Sequence, residues 1–300
     1  MIGLISAPSN LGLRPPQPGA VPGAAKAPEA LCEAGLFARF AALEAREFGV
    51  VLPGRYVDDD ATRPPGRVRN EAALVDHARR LADRIGDVLD ADAAPVVIGG
   101  DCSLLVGIGL ALARRGRSGL VHVDGHTDFR HPGNSDACAS VAGEDLAAAV
   151  GLHWPAIADL EGRAPYFPPA RAVHIGHRDD DEDVDEVRER IGLVVSAREA
   201  MTVSANELAA GVVDVAGLGY WLQVDVDVLD PSVMPAVDSP DPGGLDAAQL
   251  MALLRALAPA AVGASVTVFD PDLDPDGSYA RLLSDVLVEG LAGIGGALAR

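Results

Sequence analysis

Short segments that are nearly continuously apolar recur along the chain, and most of them do not alternate between apolar and polar residues. Continuous apolar runs of about four to eight residues are typical of strands that are buried on both faces of a parallel sheet. The pattern therefore predicts eight strands, which are Ile2–Ala7, Glu47–Leu52, Ala94–Ile98, Gly119–Val123, Ala172–Ile175, Gly192–Val195, Gly219–Val224 and Gly263–Val268.

Alanine-rich segments separate these strands and predict helices that cover the sheet. The predicted helices are Pro28–Ala45, Asn70–Ala91, Leu104–Arg115, Asp183–Arg190, Ala205–Val215, Asp246–Ala258 and Ser278–Leu298. The alternation of strand and helix indicates an α/β fold in three layers, α/β/α, with a mostly parallel central sheet of about eight strands. No linker-like segment divides the chain, so we expect one domain over residues 1–300.

Two long segments between predicted elements are expected to be loops at the sheet edge where ligands bind in such folds. Leu11–Lys26 is rich in Gly and Pro and follows the first strand, and Phe129–Val150 is expected to form one wall of a site. The short acidic run Asp179–Asp183, taken alone, is more typical of a solvated loop than of a site.

The segment Val121–Phe129 contains three potential metal ligands within five residues. Asp124, His126 and Asp128 alternate with other residues, so an extended backbone would place all three on one face. Unpaired carboxylates are very costly to bury, and a bound cation would offset that cost. We expect His122, in the strand itself, to face away from Asp124 as an ordinary core histidine.

Two further segments carry the same kind of signal at the ends of predicted strands. Asp225 and Asp227 alternate with apolar residues in the segment 222–231, and Cys102 follows a Gly-Gly turn after the strand Ala94–Ile98. Strand ends of a parallel sheet meet at one edge, so these side chains would have enough donors for two metal ions about 3.5–4 Å apart. Cys102 is either a ligand or a small buried residue, since Mn²⁺ prefers carboxylate and imidazole donors.

Composition narrows the class of protein. The net charge of −20 argues against binding of nucleic acid or of anionic membrane surfaces, and it suits either a cationic substrate or simple solubility. Three scattered cysteines give no disulfide framework, which fits a reducing cytoplasm. The first residues lack the features of a signal peptide, and no apolar stretch has the length of a membrane helix.

The three segments resemble the signatures of the ureohydrolase family, which includes arginase, agmatinase and formimidoylglutamase. Those signatures are Gly-Gly-Asp-His-Ser, Asp-Ala-His-x-Asp and Asp-x-Asp-x-x-Asp-Pro. This chain has Gly99–Ser103, Asp124–Asp128 and Asp225–Pro231 in the same order, and Gly3–Gly12 and Pro235–Gly244 agree as well. The likeness covers nearly the whole chain, which is similar to an arginase-like branch with Cys at one metal-ligand position.

The resemblance implies a site for two Mn²⁺ ions, although Cys102 leaves another divalent metal open. One ion would be held by Cys102, Asp124, Asp128 and Asp225, and the other by Asp124, His126, Asp225 and Asp227. It further implies that hydroxide attacks the planar guanidinium or amidine carbon and that Asp128 is the catalytic residue, moving a proton to the leaving amine.

Residues on the substrate side match the family less well. Asp181 occupies the place of an acid that contacts the α-amino group of arginine in arginases. Arg130 stands near the expected α-carboxylate and would pair with it, or it faces solvent. The family's loop His is replaced by Ala142. The family's guanidinium-binding Glu falls on Val268, with Asp270 nearby as a substitute that needs a backbone shift.

The resemblance therefore implies a metal-dependent hydrolase that cleaves a guanidino or amidino C–N bond and releases urea or a urea analogue. Arginine and Nω-hydroxyarginine are the first candidate substrates, and the alternatives are agmatine or a guanidino acid. A different class of function is a catalytically weak, arginase-fold binding or regulatory protein, which the missing His and Glu favour and the intact acidic ligands disfavour. Family members are commonly trimers or hexamers, so a homo-oligomer is expected.

Overall fold

Eight parallel strands form one sheet at the centre of the computed structural model, which describes residues 1–296. The strands are β1 (Ile2–Ala7), β2 (Arg46–Val50), β3 (Ala94–Gly99), β4 (Leu120–Val123), β5 (Ala172–Ile175), β6 (Leu193–Val195), β7 (Tyr220–Asp225) and β8 (Ala261–Thr267). All eight predicted strands are confirmed, with ends that differ by a few residues, because the continuous apolar pattern is a strong signal for buried parallel strands.

Eleven helices accompany the sheet within the described residues. They are α1 (Ala27–Glu33), α2 (Leu36–Ala41), α3 (Glu71–Asp90), α4 (Leu104–Arg114), α5 (Asp145–Ala149), α6 (Pro155–Ala158), α7 (Val184–Arg190), α8 (Ala197–Thr202), α9 (Ala205–Ala216), α10 (Ala247–Leu257) and α11 (Ser278–Leu291). Apolar side chains of these helices join those of the strands in two core clusters, each of which is almost completely buried. This arrangement confirms the predicted three-layer α/β architecture.

Three helix predictions need correction. The predicted helix Pro28–Ala45 is two helices, because Gly35 adopts a left-handed backbone with φ of 88° that interrupts the helix. The predicted loop Phe129–Val150 contains the buried helix α5, whose short apolar sequence lacks a helical period that could be recognised. The last helix was predicted to reach Leu298; α11 ends at Leu291, and 297–298 lie outside the described residues.

The order of strands in the sheet is β2-β1-β3-β8-β7-β4-β5-β6. Strands that are far apart in the chain are therefore neighbours, and β4 lies between β5 and β7 while β8 lies between β7 and β3. The carboxyl ends of β3, β8, β7, β4 and β5 thus form one continuous edge. Ligand sites of open α/β sheets lie at this edge, and all three predicted metal-ligand segments converge there.

Candidate active site

A cavity of about 460 Å³ opens at the carboxyl edge of the sheet. Its floor includes His126, Asp128, Asp225 and Asp227, and its wall includes loop residues that follow β1, β5 and β7. Concave sites of this size with converging polar side chains are the usual location of small-molecule binding. The cavity is therefore the candidate active site.

The chain leaves β4 at Val123 and bends sharply over Asp124–Asp128 rather than continuing as a strand. Asp124 Oδ1 accepts a hydrogen bond of 2.7 Å from the backbone N–H of His126, which closes a local turn. Asp128 adopts a left-handed backbone with φ of 46°. The prediction that an extended backbone places these three side chains on one face is therefore wrong. The turn nevertheless directs them into the same region.

The first group of potential ligands consists of Asp124, His126 and Asp227, whose ligand atoms lie within 4.8 Å of one another. His126 Nδ1 is 2.9 Å from Asp227 Oδ2, and Asp227 Oδ1 accepts a hydrogen bond from the backbone N–H of Gly125. The other ring nitrogen, Nε2, is 3.1 Å from Asp241 Oδ2 at the cavity wall. The bend after β4 and the turn after β7 are thus held together by this group.

The second group consists of Cys102, Asp124 and Asp225, which are all buried. The thiol of Cys102 donates to Asp225 Oδ2 at 2.8 Å and lies 2.9 Å from the hydroxyl oxygen of Thr267. Gly100 sets the turn that places Cys102 here, because a Cβ at that position would overlap the backbone of Ser9. Asp124 belongs to both groups, so the two sets of donors share one carboxylate.

A polar layer lies directly beneath Cys102 inside the sheet. The side-chain amide of Gln223 donates to Thr267 Oγ1 at 2.9 Å, and its carbonyl oxygen accepts from Ser265. Trp221 Nε1 donates to the same serine hydroxyl. These bonds satisfy the buried polar groups of β7 and β8 and hold the strand ends that carry Asp225 and Cys102.

His122 does not face away from Asp124, so that prediction is wrong. Its Nε2 lies 3.5 Å from Asp124 Oδ2 and 3.3 Å from Asp145 Oδ1. Residues two positions apart in a strand point to the same face, so the spacing itself contained this information. Asp145, at the start of α5, was missed entirely because its helix was predicted as loop.

Burial and mutual repulsion shift the pKa values of the clustered acids. Desolvation, followed by repulsion from neighbouring carboxylates, raises the pKa values of Asp124, Asp128 and Asp225 well above their usual range. Burial alone would also raise the pKa of Asp227, but the hydrogen bond from His126 outweighs it and lowers this pKa. One acid of the group therefore keeps its charge more readily than its neighbours.

Burial usually lowers the pKa of a histidine, but two histidines of this site have raised pKa values. Burial lowers the pKa of His126, but its hydrogen bond to Asp227 and the surrounding carboxylates outweigh burial and raise this pKa to about 11. Burial also disfavours charged His122, and the charges of Asp145 and Asp124 again produce a net raised pKa. Both pKa values are raised because the surrounding carboxylates stabilise a positively charged imidazole.

The donor set fits divalent cations. Asp124 Oδ2 is buried and has no hydrogen-bond partner among the described residues. A carboxylate oxygen without a partner costs free energy unless a cation or a proton occupies the position it faces. Clustered carboxylates with imidazole are the donors that Mn²⁺ and similar metals prefer.

The strand end of β8 differs from the rest of the site. Val268 lines the cavity with φ of 71°, a left-handed backbone that is a genuine outlier for a β-branched residue. Asp270 is not among the cavity-lining residues, because its carboxylate accepts from the backbone N–H groups of Gly23 and Asp272. Ala142 also lines the cavity, so apolar side chains occupy both altered positions.

Asp181 and Arg130, the two predicted substrate-side residues, both line the cavity. The carboxylate of Asp181 accepts from the backbone N–H of Thr127 at 2.8 Å and from its hydroxyl at 2.6 Å. Arg178, by contrast, is buried and donates to the backbone carbonyls of Gly176, Leu229 and neighbouring residues of the turn after β7. Arg178 therefore stabilises the turn rather than offering its charge to a ligand.

Known proteins are similar to this chain in both sequence and fold. The sequence profile of the Arginase family matches residues 2–292. An arginase of Bacillus caldovelox is 31% identical over 185 residues, which cover 60% of this chain and only 61% of that arginase. A guanidinobutyrase of Pseudomonas aeruginosa is 27% identical over 237 residues, or 77% of this chain and 70% of that protein.

The solved native structure of the Bacillus caldovelox arginase superimposes on this chain with a TM-score of 0.85 and 25% identity, and the match covers 97% of both chains. Among residues 1–296, no helix is long and apolar enough to cross a membrane.

Proposed function

Since this chain belongs to the arginase family, we propose that it is a divalent-metal-dependent hydrolase of a guanidino or amidino C–N bond. The observation that carries the proposal is the position of buried Asp124, which belongs to two ligand groups whose other members His126, Asp225 and Asp227 line one cavity. A carboxylate shared in this way suits a pair of cations a few ångströms apart.

Asp124, Asp128, Asp225, Asp227 and His126 would hold the two cations. When bound, divalent cations lower the pKa of water to near neutrality and stabilise charge that develops at the reacting centre. The unpartnered Oδ2 of Asp124 and the repulsion among these carboxylates support this assignment. Mn²⁺ is the proposed metal, because the donors are mainly carboxylate and imidazole.

We propose Cys102 as a further ligand, beside Asp225. Its thiol must first lose the proton that it donates to Asp225, and burial, together with the nearby carboxylates, raises its pKa. Metal binding through this sulfur is therefore expected to be weaker at low pH. In Co²⁺-loaded protein, we expect a thiolate-to-cobalt charge-transfer absorption that Cys102→Ser abolishes. The same spectrum in both proteins would contradict the proposed ligand role.

The charge of the cavity supports a cationic substrate. Nine acidic side chains line it, against three arginines, and one of those, Arg178, is committed to backbone carbonyls. A cleft lined by one sign of charge concentrates ligands of the opposite sign. A guanidinium, which stays protonated at neutral pH, matches this field.

Asp128 is the proposed proton carrier. It lines the cavity floor, and no hydrogen bond to its carboxylate is present within residues 1–296. Its oxygen can accept a proton from the attacking water and return it to the leaving amine. Asp181, fixed by Thr127, would contact the substrate's amino group, and Arg130 would pair with its carboxylate. Asp270 would reach the substrate only after its turn rearranges.

Arginine and Nω-hydroxyarginine are the proposed substrates, with agmatine and guanidino acids as alternatives. The apolar Val268 and Ala142 at the cavity wall favour the second class of function, a weakly catalytic binding protein. A panel assay separates the two. We expect Mn²⁺-loaded protein to release urea from arginine, or hydroxyurea from hydroxyarginine, with the highest kcat/KM in the panel.

Agmatine and 4-guanidinobutyrate complete the panel, and protein treated with a chelator is the control. Bound metal without product from any of the four compounds would refute the hydrolase proposal. Binding of arginine to that inactive protein would favour a binding role instead. The chain is also proposed to be a homo-oligomer, which light scattering would test.

A further inference from the structure

A third group of potential ligands lies beside the first two and consists of His122, Asp128 and Asp145. Their ligand atoms lie within 4.8 Å of one another. His122 and Asp145 are almost completely buried, at 0% and 1% exposure. The ligand sets implied by the resemblance include neither residue.

One buried oxygen of this group, Asp145 Oδ2, has no hydrogen bond among residues 1–296, and neither has Oδ2 of the nearby Asp124. Nε2 of His122 lies 3.5 Å from that Asp124 oxygen and 3.3 Å from the other oxygen of Asp145, Oδ1. Leaving a buried acceptor unsatisfied costs free energy, and the cost is larger for a charged group. A cation between these atoms would satisfy both oxygens at once.

His122 has the partner that a metal-binding histidine needs. Its Nδ1 lies 3.0 Å from Nδ1 of the buried His174, whose ring packs at a tilt against that of His177. With the His122 proton on Nδ1 and donated to His174, the lone pair of Nε2 points toward the two carboxylates. Ligand histidines usually donate their second ring N–H to such a fixed acceptor, which sets the orientation of the ring.

We propose that His122 and Asp145, together with Asp124 and Asp128, are ligands of one of the two divalent cations. This inference rests on the proposed two-cation site. It gives that cation an imidazole from β4, whereas the family supplies one at the position that Cys102 occupies here. His122 and Asp145 would add an imidazole and a carboxylate to the donors proposed above, and both are donor types that suit Mn²⁺.

A neighbouring group shows that a cluster of potential ligands is not by itself a cation site. Cys138, Glu144 and His153 also lie within 4.8 Å of one another. Glu144 Oε1, however, accepts from the backbone N–H groups of Ala139 and Ser140, and Oε2 is 2.9 Å from His153 Nε2. Every oxygen of this carboxylate has a protein partner, so it stabilises the loop and provides a matched control.

The test counts cations in metal-free protein titrated with Mn²⁺, by equilibrium dialysis and calorimetry. Wild type and the control Glu144→Gln are expected to bind two cations per chain. Asp145→Asn and His122→Asn are expected to bind one with wild-type affinity and the other at least about tenfold more weakly. Circular dichroism of each metal-free variant checks its fold, and two variants on different elements keep the test decisive if one misfolds.

Wild-type affinity and stoichiometry in folded Asp145→Asn and His122→Asn would overturn the inference. Wild-type protein that binds no cation would overturn both this inference and the proposed metal site. Wild-type protein that binds two cations without hydrolysing any guanidino compound would refute only the activity, so the two failures are distinguishable.

Discussion

Replacing Asp124 with asparagine is expected to abolish hydrolysis and to remove both cations. Asp124 is the one residue shared by the two ligand groups around Cys102 and His126. Asparagine keeps the shape of the side chain but lacks its charge. Cation stabilisation of a reaction is worth several kcal/mol, and each 1.4 kcal/mol is about tenfold in rate, so we expect activity to fall by at least about 10³-fold.

The fold of the Asp124→Asn variant is expected to survive. Asparagine Oδ1 can still accept the hydrogen bond from the backbone N–H of His126, and burial, which raises the pKa of Asp124, already favours an uncharged side chain in the metal-free state. The measurements are urea release under saturating Mn²⁺, the number of bound cations and the melting temperature. Asp214→Asn, on the exposed face of α9, is the matched control and should behave as wild type. Two bound cations and activity within tenfold of wild type would contradict the assigned role.

Metal-free protein is expected to lose stability as pH rises from 7 to 8.5. The folded state raises the pKa values of Asp124, Asp128 and Asp225 well above their ordinary range, so it retains protons that the unfolded chain has already released. A group whose pKa is raised by folding contributes its full stabilisation when the pH is below its pKa in the unfolded chain. That contribution is lost as the pH rises through its pKa in the folded protein. Each retained proton contributes a slope of about 1.4 kcal/mol per pH unit.

Between pH 7 and 8.5, the buried histidines with lowered pKa values do not oppose this loss of stability. Burial lowers the pKa values of His77, His174 and His177, but above pH 7 these side chains are mostly neutral in both states. The raised pKa values of His122 and His126 act in the same direction as those of the acids. Asp227, whose pKa is lowered, is ionised in both states throughout this range.

Saturating Mn²⁺ is expected to raise the melting temperature, and to raise it more at pH 8.5 than at pH 7. Cations must displace protons from the ligands at the lower pH, whereas fewer protons remain at the higher pH. Thermal unfolding at constant ionic strength, with and without chelator, measures both effects. A metal-free melting temperature that is constant or increases between pH 7 and 8.5 would show that the acids are ionised without cations.

The sheet could be predicted because its signal is local. Strand β3, for example, is apolar and buried at every position, and burial on both faces of a parallel sheet favours that pattern. Asp124, His126, Asp225 and Asp227 could be proposed as ligands from the sequence because acids clustered at the ends of apolar strands are very costly to bury without a cation. Helix α5 could not be predicted, since five apolar and acidic residues in a long loop have no distinctive period.

Spacing along the chain is a poor guide to side-chain direction where the backbone turns. Asp128 reaches the site through a left-handed residue rather than through an extended strand. Asp270 lies two residues beyond Val268, yet its turn directs the carboxylate to the backbone of Gly23. Such turns depend on contacts with distant segments, which spacing along the chain does not contain.

By itself, the sequence determined the α/β fold, the three strand ends that carry metal-type ligands and the resemblance to the ureohydrolases. These features follow from side-chain chemistry and from periodicities of a few residues. Only the tertiary structure decided that β4 pairs with β7 and that Asp124 is shared between donor groups. It also brought Asp145 against His122. Those contacts join residues that are distant in the chain, and strand order and helix packing, rather than local pattern, determine which distant residues meet.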